Sequence, residues 1–145
     1  MQVQSVAEAI NYIKATCATG MNEMGERMKE IMKSELMEQI YADHEPSVYE
    51  RTGQLENTPN IVEIDQNSVT VEFQDNGDWE SAITGEPFFP LEGWEHGKVW
   101  KSRSNTGFYT YYEPTTIMQE SEVKCKQEIP EAFKKYLISK GLNVL

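Results

Sequence analysis

Tyr49-Glu50-Arg51-Thr52-Gly53-Gln54-Leu55 separates one very long helical pattern from the part of the sequence that is patterned like a sheet. The glycine permits a positive φ, and the threonine hydroxyl can bond to its own backbone. Tyr49 and Leu55 are the apolar anchors in a polar neighbourhood. We predict a turn that fixes how the helix enters the sheet; an ordinary helix-to-strand connection is the alternative.

An amphipathic helix, or two collinear helices, is predicted from Ser5 to about Tyr41. Ser5 and Glu8 have the spacing of a capping box, and Gly20 and Gly25 weaken the middle of the helix and favour a kink near them. An unbroken helix would be about 55 Å long at roughly 1.5 Å per residue, which is more than a small domain can cover. Part of it is therefore expected to contact a neighbouring subunit. The apolar positions recur three or four residues apart, at Val6, Ile10, Ile13, Cys17, Met21, Met24, Met28, Ile31 and Ile40.

A β-hairpin is predicted after the turn. Residues 61–64 and 69–73 are β-branched runs with alternating faces, joined by Asp65-Gln66-Asn67. Pro46 closes the preceding helix, and a further strand is expected among residues 108–112.

The stretch from Asp75 to Thr106 has the least regular pattern of the chain. An ordered loop of this length is uncommon and usually functional. Its aromatic side chains either fold back as a satellite core or anchor an interface. They are Trp79, Phe88, Phe89, Trp94 and Trp100.

A short C-terminal helix is predicted from Pro130 to about Lys140. Proline is tolerated in the first turn of a helix, Phe133 and Tyr136 follow at helical spacing, and Gly141 stops the pattern. The preceding residues 115–126 fit a helix or a strand.

These elements define a single α+β domain covering residues 1–145. We predict a long N-terminal helix over 1–42, a small antiparallel β-sheet with a long aromatic loop over 43–127, and a short C-terminal helix over 128–145 packed on the sheet. Cys17 and Cys125 offer no disulfide framework, which fits a reducing compartment. Neither a secretory signal nor a membrane-spanning run is recognisable, so a soluble, unprocessed protein with no membrane contact is expected.

The charge is unevenly distributed around a net value of −11. Residues 43–95 hold thirteen acids and one base, whereas residues 96–145 hold five acids and eight bases. The net charge argues against direct binding to nucleic-acid phosphate. The blocks are either solvated surface or the two sides of a head-to-tail contact between copies.

No recognisable reactive centre is found. His44 and His96 lack the spacing of a zinc or calcium site, and no phosphate loop, nucleophile elbow or helical HExxH occurs. The basic and aromatic residues from Lys98 to Tyr109 could stack on single-stranded nucleic acid, although the overall charge opposes this. We expect no enzyme activity, no cofactor and no metal.

The chain contains three sequence motifs. The long helix runs into the segment 46–55 with its Tyr-x-Arg-Thr-Gly-x-Leu pattern, the aromatic loop carries Glu86-Pro87-Phe88-Phe89-Pro90, and Glu128-Ile129-Pro130-Glu131-Ala132-Phe133 precedes Lys140-Gly141. Together they resemble the tail-completion or neck-type minor tail components of tailed bacteriophages, which are head–tail joining proteins. The sequence departs from that pattern after the leucine, where Glu56-Asn57-Thr58-Pro59 replaces a serine-bearing strand start.

The resemblance implies a structural virion protein made in the bacterial host cytoplasm. It implies a ring, commonly a hexamer of identical copies, that joins the head connector or adaptor to the tail tube or its terminator, with DNA only as passing cargo. The candidate subunit-interface or structural-turn residues are Tyr49, Arg51, Thr52, Gly53, Leu55, Trp79, Phe88, Phe89, Trp94 and Trp100.

Two hypotheses follow from the acidic block. If it lines the lumen of a ring, it repels DNA phosphate and keeps the passing genome from sticking. Arg51, its one base, is then expected to form a charge-assisted bond or to stack. The alternative function is an acidic cytosolic inhibitor or immunity protein that binds a basic enzyme as a nucleic-acid mimic.

Overall fold

The computed structural model describes residues 4–41, 57–74, 95, 98–101, 109–112 and 115–144. Helix α1 runs over Val6–Leu36 and continues as a π-helical turn over Met37–Tyr41. Strands β1 and β2 span Pro59–Ile64 and Val69–Phe73, β3 and β4 span Lys98–Lys101 and Tyr109–Tyr112, and helix α2 spans Ile117–Ser139. The predicted α+β class, with its long N-terminal helix, antiparallel hairpin and packed C-terminal helix, is confirmed.

The start of α1 follows the predicted capping pattern. The Ser5 hydroxyl accepts a hydrogen bond from the Glu8 amide at 3.2 Å. The Glu8 carboxylate in turn accepts from the Gln4 amide at 2.7 Å, one residue earlier than in a standard capping box. The Ser5 bond satisfies one of the amide groups that a helix start leaves without partners, and the sequence therefore located this end correctly.

Helix α1 remains a single α-helix through Gly20 and Gly25, because both glycines are sites of close packing. A Cβ built on Gly20 would lie 2.7 Å from ring carbons of Phe133 and Tyr136 on α2. A Cβ on Gly25 would lie 2.7 Å from the Ile61 side chain of the hairpin. Five residues separate the two glycines, which is about 140° around a helix, so α2 and the hairpin approach different faces of α1.

The two helices run antiparallel. The Tyr12 hydroxyl, near the start of α1, donates to the Lys140 carbonyl at the end of α2 over 2.7 Å. Near the other end, Lys124 of α2 forms an ion pair with Glu35 of α1. The core that these helices share with the hairpin contains the buried apolar side chains Met24, Met32, Leu36, Ile117 and Tyr136.

The hairpin of β1 and β2 has the predicted strands, with Pro59 opposite Phe73 and Ile64 opposite Val69. Its tight turn is built by Asp65, whose carboxylate accepts from the Asn67 amide at 2.7 Å and from the Ser68 amide at 2.8 Å. These hydrogen bonds, that of Asn67 first, lower the pKa of Asp65. Strands β3 and β4 form a second antiparallel pair; β4 was predicted, whereas β3 was not.

The predicted start of the C-terminal helix at Pro130, within a helical segment 128–145, is wrong. Helix α2 begins at Ile117 and contains Pro130 in its interior. A proline inside a helix removes one backbone hydrogen bond. Pro130 is exposed, so the carbonyl that loses its partner can bind water, and packing of Ile117 and Tyr136 in the core stabilises the longer helix. The predicted stop is confirmed at Gly141, which has φ 83°.

Candidate functional site

The residues that the sequence singled out lie mostly outside the described part of the chain. Tyr49, Arg51, Thr52, Gly53, Leu55, Trp79, Phe88, Phe89 and Trp94 fall there, and the backbone of Trp100 belongs to β3. The predictions made for these residues remain predictions. The surfaces that the structure describes belong to the helix pair and the hairpin, and of these the sequence had selected only α1, as the helix expected to contact a neighbouring subunit.

The first feature is a polar network between the helices. The Glu35 side chain is 3% exposed, and its carboxylate contacts the Lys124 ammonium group. Glu38 approaches the same ammonium group at 3.6 Å, and the Gln39 amide donates to the second Glu35 oxygen at 2.9 Å. The hydrogen bond to Glu35 raises the pKa of Lys124. A buried carboxylate with two donors, one of them the Lys124 cation of α2, fixes the registration of α1 against α2.

The second feature is the way the first turn of α2 is held. Its amide groups are capped by side chains from distant segments. The Gln39 carbonyl oxygen accepts from the Thr116 amide at 2.9 Å. Glu95 accepts from the Ile117 amide at 2.9 Å and from the Thr115 hydroxyl at 2.8 Å. Carboxylates at helix N-termini are stabilising, so Glu95 acts here as a structural cap.

The third feature is the apolar end of the helix pair, where α1 begins and α2 ends. Val6 is 78% exposed, and Ile10 and Ile13 are 46% and 45% exposed. They follow at spacings of four and three residues, so they lie along one face of α1. Ile138 of α2 is 51% exposed at the same end, which the bond between Tyr12 and Lys140 defines. The three α1 side chains therefore form an apolar strip open to solvent, and Ile138 is a separate exposed apolar side chain at the same end.

The fourth feature is a groove of about 510 Å³ at the opposite half of the helix pair. We call it the charged groove. Its α1 wall consists of side chains three or four residues apart, and Lys124 and Glu128 of α2 form the other wall. The residues on the α1 side are Arg27, Glu30, Ile31, Ser34 and Glu38.

The described residues show neither a metal site nor a membrane-spanning helix. Within residues 4–41, 57–74 and 115–144 and the short strands, no group of three or more His, Cys, Asp or Glu side chains is placed to hold a metal ion. In the same part of the chain, no helix is long and apolar enough to cross a bilayer. Cys17 and Cys125 are free thiols, and burial raises the pKa of the Cys125 thiol.

The described features are thus surfaces on a helix pair that has a hairpin packed against α1. The YomN family matches residues 5–139, nearly the whole chain, and the chain belongs to that family. The family is named after a gene of a Bacillus phage or prophage, which indicates a phage-associated protein. No curated protein and no solved structure matches the chain.

Proposed function

We propose that the protein is a structural subunit of the neck of a tailed phage. In this proposal it forms a ring that joins the head connector to the tail tube, and it has no enzymatic role. Membership of a phage-associated family supports this, as does the resemblance of its sequence motifs to tail-completion proteins. One observation carries the proposal: the apolar face at the start of α1 has no partner within the described part of the chain.

The lengths of the helices explain this exposure. Helix α1 has 31 residues and α2 has 23, so at roughly 1.5 Å per residue they are about 46 Å and 35 Å long. Tyr12 meets the end of α2, and the turns of α1 before Tyr12 project beyond it. Fully burying a valine or isoleucine side chain contributes about 1.5–3 kcal/mol. A neighbouring copy that covers Val6 and Ile10 gains this stabilisation, and repetition of the contact around an axis closes a ring.

The acidic segment supplies the second part of the proposal. The described part of it, on the hairpin, presents Glu63, Asp65 and Glu72 to solvent. We place the acidic block 43–95 at the lumen of the ring, where its charge repels DNA phosphate and lets the genome pass. The partners are then identical copies, the head connector and the tail tube or terminator, and the location is the virion.

Electron microscopy of the purified protein mixed with the purified head connector of the same phage tests the proposal. The wild-type protein is expected to add a ring of density to one face of the connector. Ile10→Asp places a charge on the apolar face and is expected to abolish that density. Val123→Asp is the matched control, since Val123 is 41% exposed against 46% for Ile10 but lies on α2 away from this face.

Bare connectors in the presence of wild-type protein would count against the neck assignment. The inhibitor alternative predicts that outcome, together with a discrete complex of one copy with a basic enzyme whose affinity falls steeply as salt is added.

A further inference from the structure

The two ends of the helix pair carry opposite charge. The end where α1 begins and α2 finishes, residues 4–20 and 130–144, holds four bases and two acids. We call this the basic end. The other part of the pair, residues 21–41 and 115–129, holds eight acids and five bases. The helix pair is therefore charged positively at one end and negatively at the other.

The basic end presents its charge beside its apolar side chains. Lys134 and Lys135 are exposed, and neither ammonium group has an ion pair with a carboxylate in the residues that the structure describes. Phe133 and Tyr136 face Gly20 of α1, so the two lysines between them in sequence face away from that helix. Ile138 stands one helical turn further on and is 51% exposed.

The charged groove has the complementary character. Glu30 and Glu128 are exposed, and neither carboxylate has an ion pair among the described residues. The Glu38 carboxylate also lines the groove and lies 3.6 Å from the Lys124 ammonium group. The Lys124 charge is already offset by the buried Glu35 beneath it. Arg27 is the other base of the lining, so the groove keeps an excess of negative charge.

The lysines of one copy cannot occupy their own groove. Lys134 lies ten residues along α2 from Lys124, which is about 15 Å of helix rise. We propose that the basic end of one copy, through Lys134, Lys135 and Ile138, docks into the charged groove of the next copy, against Glu30, Glu128 and Ile31. The contact joins two different surfaces of the same chain. It therefore propagates head to tail and closes as a ring or continues as a filament.

The proposal names the contact between neighbours in the ring of the proposed function and rests on that function for its place in the virion. Its test needs the purified protein alone. Sedimentation velocity at low salt is expected to show self-association of the wild type that weakens as salt is added. Lys134→Glu with Lys135→Glu, and separately Glu30→Lys with Glu128→Lys, are each expected to weaken self-association about tenfold or more.

The decisive experiment combines the two charge reversals. A mixture of the two double variants, and a single chain that carries all four changes, are each expected to recover association, because opposite charges then face each other again. The control with the same charge change as the groove variant is Glu63→Lys with Glu72→Lys on the hairpin, where both carboxylates are exposed, and it is expected to associate like the wild type. Circular dichroism establishes that each variant is folded.

A wild type that stays monomeric at low salt overturns the proposal. Self-association that neither double variant weakens would also overturn it. So would self-association that the double variants weaken and that neither the mixture nor the fourfold variant recovers. These results leave the neck assignment standing if the protein still forms a ring on the connector. Conversely, charge-compensated self-association with no binding to the connector would overturn the neck assignment alone.

Discussion

Replacing Gly20 by alanine tests the close contact between α1 and α2. On helix propensity alone, Gly20→Ala should stabilise the protein by about 1 kcal/mol. The new Cβ would, however, lie 2.7 Å from Cε2 of Phe133 and from Cε1 of Tyr136, where ordinary contacts begin at 3.4 Å. Both rings would have to retreat by about 0.7 Å, and overpacking of this kind costs about 1–3 kcal/mol.

Tyr136 has little room to make that movement. The residue is only 9% exposed, and its hydroxyl donates to the Thr16 carbonyl at 3.3 Å. Subtracting the propensity gain from the overpacking cost leaves a net loss of about 1 kcal/mol. For a chain of this size that is a decrease in Tm of about 3 °C.

Urea denaturation with a fitted midpoint and slope measures the free energy of unfolding. Ala15→Gly, at an exposed position of the same helix, calibrates the propensity difference without a packing change. Gly25→Ala is a second comparison and is also expected to destabilise the protein, because its Cβ would lie 2.7 Å from Ile61 Cδ1 and 2.8 Å from Val69 Cγ2. A Gly20→Ala variant that gains as much stability as Ala15→Gly loses would refute the close helix contact.

Three further outcomes are expected. Asp65→Ala lowers the urea midpoint at pH 7, and the difference from wild type shrinks as the pH falls below 3.8, because the Asp65 contribution is fully present above 3.8 and is lost as the pH falls through the lowered native pKa. Lys124→Met lowers the midpoint by leaving Glu35 without its cation. Since the native pKa of Lys124 is raised, the wild-type advantage persists below pH 10.5 and is lost in a titration above it. Tyr136→Phe removes the hydroxyl that bonds to the Thr16 carbonyl and costs about 1 kcal/mol in thermal unfolding, whereas a change below about 0.3 kcal/mol would show that this bond contributes nothing.

The sequence predicted the elements whose signals are local. Ser5 and Glu8 are about one helical turn apart, and the side chains of both form hydrogen bonds at the start of α1. Asp65 lies between two β-branched runs, and its short side chain builds the turn of the hairpin. Gly141 adopts the positive φ that ends α2. Each of these residues determines the backbone within four positions of itself.

The sequence was less informative where distant segments decide the outcome. Pro130 is a standard helix-start residue, yet the core position of Ile117 and the capping of Thr115 and Ile117 by Glu95 stabilise a start thirteen residues earlier. Gly20 and Gly25 were interpreted as weak points, whereas their small size admits α2 and the hairpin.

The charged groove could not be predicted for a related reason. Glu30 and Glu128 are surface acids in sequence, and only the antiparallel pairing of the helices brings them to one groove. Acidic residues are so frequent in this chain that no sequence pattern separates these two from the others.

The most direct measurement is a cryo-electron microscopy reconstruction of the neck in purified particles of the phage that encodes the protein. We expect a ring of identical copies between head connector and tail tube, with the basic end of each copy in the charged groove of the next and the acidic segment toward the DNA. Particles that lack the protein, or that hold it as isolated copies away from the neck, would overturn both proposals.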